Sequence, residues 1–124
     1  MNSTFTKILR VLLGAGLIVF GVNKFFEFLP IPEFKDNAAS FMSSLDATGY
    51  VLPVLGGLEI AIGLLLISNK WTPFALLLLA PISVNIILFH LFLDLPDILS
   101  AVIVFGLNVV LIYKHWKVYR VLFQ

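Results

Sequence analysis

The sequence contains no cysteine, which excludes disulfides, thiolate metal sites, iron–sulfur clusters and thiol redox chemistry carried by this chain alone. Any sulfur chemistry would have to reside on a partner. Charge is almost as scarce, at 12% of 124 residues against 60% hydrophobic ones. That is too little polar surface to cover a soluble globule of this size. The net charge of +1 comes with no basic patch, so no nucleic-acid footprint is expected. The HExxH, GxSxG, P-loop and GxGxxG signatures are also missing. What remains is a single membrane domain over residues 1–124.

The stretch from Thr72 to Asp94 organises the reading, an almost unbroken apolar run set with Pro81, Asn85 and His90. It is long enough to cross a hydrocarbon core of about 30 Å. Lipid offers no hydrogen bonds, so those polar groups need partners from the rest of the chain. Three more apolar runs supply them. The pattern predicts an all-α integral membrane four-helix bundle, with helices over about 6–28, 50–67, 72–93 and 98–114 and a short interfacial helix over 36–48. Lys7, Arg10 and the small residues Gly14, Ala15 and Gly16 resemble a secretory signal, but the apolar run continues past them and favours an uncleaved first span. Pro30 and Pro32 should stop that span. Between Glu33 and Gly49, Ala38, Phe41, Met42 and Leu45 form one apolar face, with Asp36 or Asn37 as N-cap and Gly49 as stop. Asp97 is the expected N-cap of the last span.

Glu59 is the only acidic residue inside an apolar segment, about 13 Å from the Tyr50 end of its helix and so near the bilayer midplane. It shares a face with Gly56 and Gly63, the closely packed side. Gly14 and Gly21, seven apart, should admit a neighbouring helix in the same way. A carboxyl at such depth is a functional candidate, or else interhelical glue. Lys24 and Glu27 lie one turn apart and are expected to pair at the outer rim. Pro81 should free the carbonyl of Leu77 and kink its helix. Asn85 lies on the Pro81 face, whereas His90 aligns with Ser83 and Asp94. Asn108, about 16 Å into the last span, matches the depth of Glu59. Ser100 and Gly106 read as packing residues. Lys114, His115, Trp116, Lys117, Tyr119 and Arg120 suit the headgroup region.

Charge then sets the topology. With both termini cytoplasmic, that side collects Lys7, Arg10, Lys70, Lys114, Lys117 and Arg120 and no acid, as the positive-inside rule requires. The other side holds Lys24 and Lys35 against six carboxylates. The residues so placed suggest an outward-opening pocket for a lipophile around Glu59. Glu59 and His90 are the candidate catalytic residues, and Asn23, Lys24, Asn85 and Asn108 the candidate ligand-binding ones. A haem between His90 and His115 is disfavoured by their opposite ends, and the donors do not make a metal set. A quinone headgroup fits chemically.

The runs GVNKFF and LPIPEF, then TGYVLPVLGGLEIAIGLLL, then LAPISVNIILFHLFLD resemble the DoxX-like family of small four-helix bacterial membrane proteins, over nearly the whole chain. The resemblance places Asn23, Lys24, Glu59, Pro81, Asn85 and His90 at the family's recurrent polar and proline positions. Where this chain has Glu27 many relatives have His. It implies a multi-pass protein of the bacterial cytoplasmic (inner) membrane, a membrane subunit of a quinone-linked redox complex with a protein partner. A noncatalytic assembly or binding module and a small proton-coupled transporter are the alternatives. The carboxylate of the familiar small multidrug transporters is on the first helix, and Glu59 is on the second.

Overall fold

A computed structural model describes residues 3–27 and 34–124. Helix α1 (Thr4–Phe26) is capped by Ser3, whose hydroxyl accepts from the Thr6 amide, two residues before its expected start. It ends at Glu27, whose left-handed backbone (φ 50°) lets its amide reach the Asn23 carbonyl. Pro30 and Pro32, the expected stops, and Glu33 lie outside the described residues. Helix α2 (Asp36–Ala47) follows, then α3 (Val51–Ser68), α4 (Thr72–Leu93) and α5 (Ile98–Lys114). The chain finishes in a single turn, α6 (Trp116–Tyr119), and a 3-10 turn over Arg120–Phe123. All described elements are helical, and α1, α3, α4 and α5 are long and apolar enough to cross a membrane. The expected four spans and their boundaries are therefore present to within about two residues at each end.

Glycine decides which helices pair. Along the antiparallel α1–α3 contact Gly14 faces Gly63 and Gly21 faces Gly56, so closely that a Cβ on Gly63 would lie 2.6 Å from the Gly14 carbonyl oxygen. One on Gly21 would lie 2.7 Å from the Gly56 carbonyl oxygen. Backbones approach in this way only where side chains are absent, and the dispersion contact they gain drives helix association where no hydrophobic effect operates. Helix α4 packs chiefly on α5, while α1 also touches α5 and α3 also touches α4. The core between them is aliphatic: Leu13, Leu17, Ile62, Leu66, Leu76, Leu79 and Leu111 are almost fully buried. Gly106, expected to pack, faces open space, and Ser100 is exposed.

Both ends of the chain lie at one end of the bundle. The Lys114 ammonium sits 5.6 Å from the centre of the Phe5 ring, and the Tyr119 hydroxyl donates to the carbonyl of Pro73 in the first turn of α4. The tail that reads as a basic headgroup anchor is thus pinned to the bundle by a buried phenol. At the opposite end α2 reaches α3 and α4, with Phe41 and Phe34 against Phe89 at 5.6 and 5.5 Å. Its start corrects the expected cap. Lys35 occupies the N-cap position without a side-chain bond, and Asp36 is already the first helical residue. Thr48 and then Gly49 (φ 79°) end it as expected. Asp97 holds the N-cap position of α5, but its side chain makes no cap bond because a 3-10 turn, Leu95–Asp97, leads straight into the helix.

Candidate functional site

Glu59 is 3% exposed, on α3 one turn beyond Gly56, and the Lys24 ammonium lies 2.6 Å from its Oε1. Gly56 makes this approach possible. A Cβ there would come within 3.2 Å of the Lys24 Cβ and 2.9 Å of the Phe25 ring, so the lysine stem lies across the bare backbone and carries its charge inward to the acid. The expected partner, Glu27, is exposed; α1 ends before its side chain can turn back, and the buried carboxylate offers Lys24 the stronger attraction in a low dielectric. At 2.6 Å the contact joins opposite charges directly. The ammonium, a quarter exposed, keeps further donors free.

Asn108, Asn85 and His90 fall into three separate groups. Asn108, 2% exposed, donates to the Leu76 carbonyl at 3.1 Å and accepts from the Ser83 hydroxyl at 2.8 Å, tying α5 to α4. Both the oxygen and the nitrogen of its amide are engaged in packing. Asn85 is exposed and turns back along its own helix, donating to the Pro81 carbonyl at 2.9 Å, while α4 continues through Pro81 as one helix. His90 Nδ1 lies 3.3 Å from Asp94 Oδ2 and 3.2 Å from the Asp94 carbonyl oxygen, at the end of α4. Loss of solvent, then the neighbouring Asp97, raises the Asp94 carboxyl above its ordinary value, and His90 works against both. Asn23 precedes Lys24 on α1 and is half-buried. The expected convergence of Asn85, Asn108 and His90 on Glu59 is therefore not what the helices produce. Ser83 and His90 share the face expected of them, yet Ser83 is buried against α5 whereas His90 stays at the helix end.

Two participants escape the sequence reading. Arg10, 8% exposed, donates to the carbonyls of Leu66 and Ile67 at the end of α3, where a cation meets both unsatisfied acceptors and the negative end of the helix dipole. The signal was its register: Thr6, Arg10, Leu13, Gly14, Leu17 and Gly21 are the buried face of α1. Tyr119 is the other, 4% exposed and bonded to Pro73. A cleft of about 360 Å³ opens between the start of α2 and the α4–α5 connection, beside Lys35, Asp36, Asp94 and Asp97. Glu59 does not line it.

Four apolar helices stitched together by buried polar pairs define a multi-pass membrane protein in contact with lipid. The chain belongs to the DoxX family, whose model matches residues 5–91. That match takes in Asn23, Lys24, Glu59, Asn85 and His90 and stops short of Asn108. No curated protein and no solved structure matches the chain.

Proposed function

We propose that this DoxX family protein is the membrane subunit of a quinone-linked redox complex in the bacterial cytoplasmic membrane, and that Lys24 and Glu59 receive the polar head of a lipophilic ligand. One observation carries the reading: a carboxylate buried in a spanning helix, with a lysine brought to 2.6 Å across a glycine made to clear its path. Intramembrane charges are costly to keep and mark ligand or proton pathways. A quinone oxygen suits this pair. Lys24 has donors to spare for a carbonyl, and Glu59 stands beside it to exchange the proton that accompanies reduction, with the electrons coming from a partner subunit. His90 stays the local partner of Asp94. Both termini are assigned to the cytoplasm, because their end of the bundle carries Lys7, Arg10, Lys70, Lys114, Lys117 and Arg120 without a carboxylate.

The test is a solvent extract and optical spectrum of protein purified in mild detergent, as wild type, Glu59→Gln and Lys24→Met, each checked for a native elution profile. A stoichiometric quinone or other lipophile in the wild type, lost in both variants, supports the reading. An extract holding only bulk phospholipid replaces it with that of a noncatalytic assembly module.

A further inference from the structure

Asn85 stands in the wrong solvent. It lies about 20 Å along a helix of about 33 Å, which is near mid-membrane, and it is exposed. Among the described residues it is the one polar side chain that is exposed more than a turn from the ends of a spanning helix. Its bond to the Pro81 carbonyl uses one N–H, leaving the second N–H and both lone pairs of Oδ1 facing hydrocarbon. Pro81 adds to the deficit, since it has no N–H to give the Leu77 carbonyl on the same side. Other deep polar side chains of the bundle, Glu59, Ser83 and Asn108, are buried and partnered.

The exposed face around Asn85 has a period. Phe74, Leu78, Pro81, Asn85, Leu88 and Phe92 are all exposed and are spaced four, three, four, three and four apart. This is the a/d seam of a coiled coil, with Asn85 at an a position, where a single asparagine fixes register and partner number. Helix α4 is also the least covered span, with 17% of its most apolar window buried against 22 to 33% in the others.

We infer that α4 is the interface of a homodimer, in which the α4 helices of two copies lie parallel and the two Asn85 amides hydrogen-bond to each other. The membrane makes a second copy the fitting occupant. Two chains inserted in the same direction are related by an axis along the membrane normal, so each residue on that axis meets its own kind at its own depth. A carboxylate or an ammonium there would be repelled. A carboxamide is self-complementary, each N–H giving to the other's Oδ1. The seam carries no charge, and its ends, Phe74 and Phe92, extend the contact along most of the span.

The absence of cysteine makes the test clean. Leu78→Cys and Leu88→Cys, on the seam, and Leu64→Cys, exposed on α3, are introduced singly into the full chain and oxidised in native membranes. The seam variants should form a disulfide dimer of twice the chain mass and Leu64→Cys should not. Adding Asn85→Val to Leu88→Cys should cut the dimer yield about tenfold, the loss of two interhelical amide bonds, while Asn85→Gln retains most of it. Monomer at both seam positions would overturn the inference. So would equal cross-linking at Leu64→Cys, a yield indifferent to Asn85→Val, or a product containing a different protein.

Discussion

Removing the lysine charge from the Lys24–Glu59 pair should cost more than removing both charges. At 2.6 Å and an effective dielectric of about 20, two unit charges attract by about 6 kcal/mol. Much of that offsets their desolvation, which is why deleting a buried pair outright is often nearly neutral, whereas stranding one member costs about 3–5 kcal/mol. The two single variants should also differ. Glu59 is 3% exposed and has nowhere to go, while Lys24 is 25% exposed on a long stem near the end of α1 and can swing to the headgroups. Lys24→Met is therefore expected to cost about 3–4 kcal/mol and Glu59→Gln about 2, the glutamine still accepting from the ammonium. The double variant should cost about 2, giving a coupling energy of about 3 kcal/mol. Reversible unfolding by SDS in mixed micelles at neutral pH measures all four corners of the cycle. A coupling below about 0.5 kcal/mol would mean that the pair does not hold α1 to α3, and the role assigned to Gly56 would fall with it.

Two further outcomes are expected from other parts of the bundle. Gly63→Ala places a methyl 2.6 Å from the Gly14 carbonyl and from an Ile18 side-chain carbon, so it should lower stability by about 1–3 kcal/mol in the same assay, whereas Gly57→Ala, which meets nothing within 4 Å, should be neutral or slightly stabilising. Burial pushes the Tyr119 phenol up to about 12, so its neutral form is the one the fold prefers: the contribution is whole below about pH 10 and is lost as pH rises through 12, roughly 3 kcal/mol in total. Tyr119→Phe should flatten that alkaline limb relative to wild type and cost about 1 kcal/mol at neutral pH through the lost bond to Pro73; an unchanged limb would refute the assignment.

The spans were legible because hydropathy and length decide them with little help from tertiary structure, and the family resemblance carried by the runs around Lys24, Glu59 and Asn85 is the one the family match bears out. The glycine faces of α1 and α3 were legible for a related reason, since period 3.6 puts Gly14 and Gly21, and Gly56 and Gly63, in line. Partner choice was not. Lys24 is one turn from Glu27, and that proximity points to the nearer acid. The actual partner depends on how two helices cross and on a bare backbone at Gly56 that lets a side chain through. Asn85, Asn108 and His90 likewise show where depth alone misleads. Residues at similar heights in a bundle point around the compass, and Asn108 faces α4 while Asn85 lies on an exposed face of α4. Arg10 reads as a cytoplasmic charge near a helix end, and only its register among Thr6, Leu13 and Leu17 tells that it also packs against α3.

The glycine-to-glycine contact of α1 with α3 also bears on how the protein is made. Both spans leave the ribosome before α4 and α5, and the charged contacts of Arg10 with the end of α3 and of Lys24 with Glu59 lie between them. A lone charge at the centre of an inserting helix is resisted by about 2.5–3.5 kcal/mol. Closed into a hairpin by bare backbone, α1 and α3 can present lipid with a neutral pair before the second half of the chain exists. The side-chain link described between the later spans, Ser83 with Asn108, is uncharged and tolerates a wait in lipid. The order of helices along the chain is thus also a schedule for insertion, with the least lipid-soluble contacts completed first.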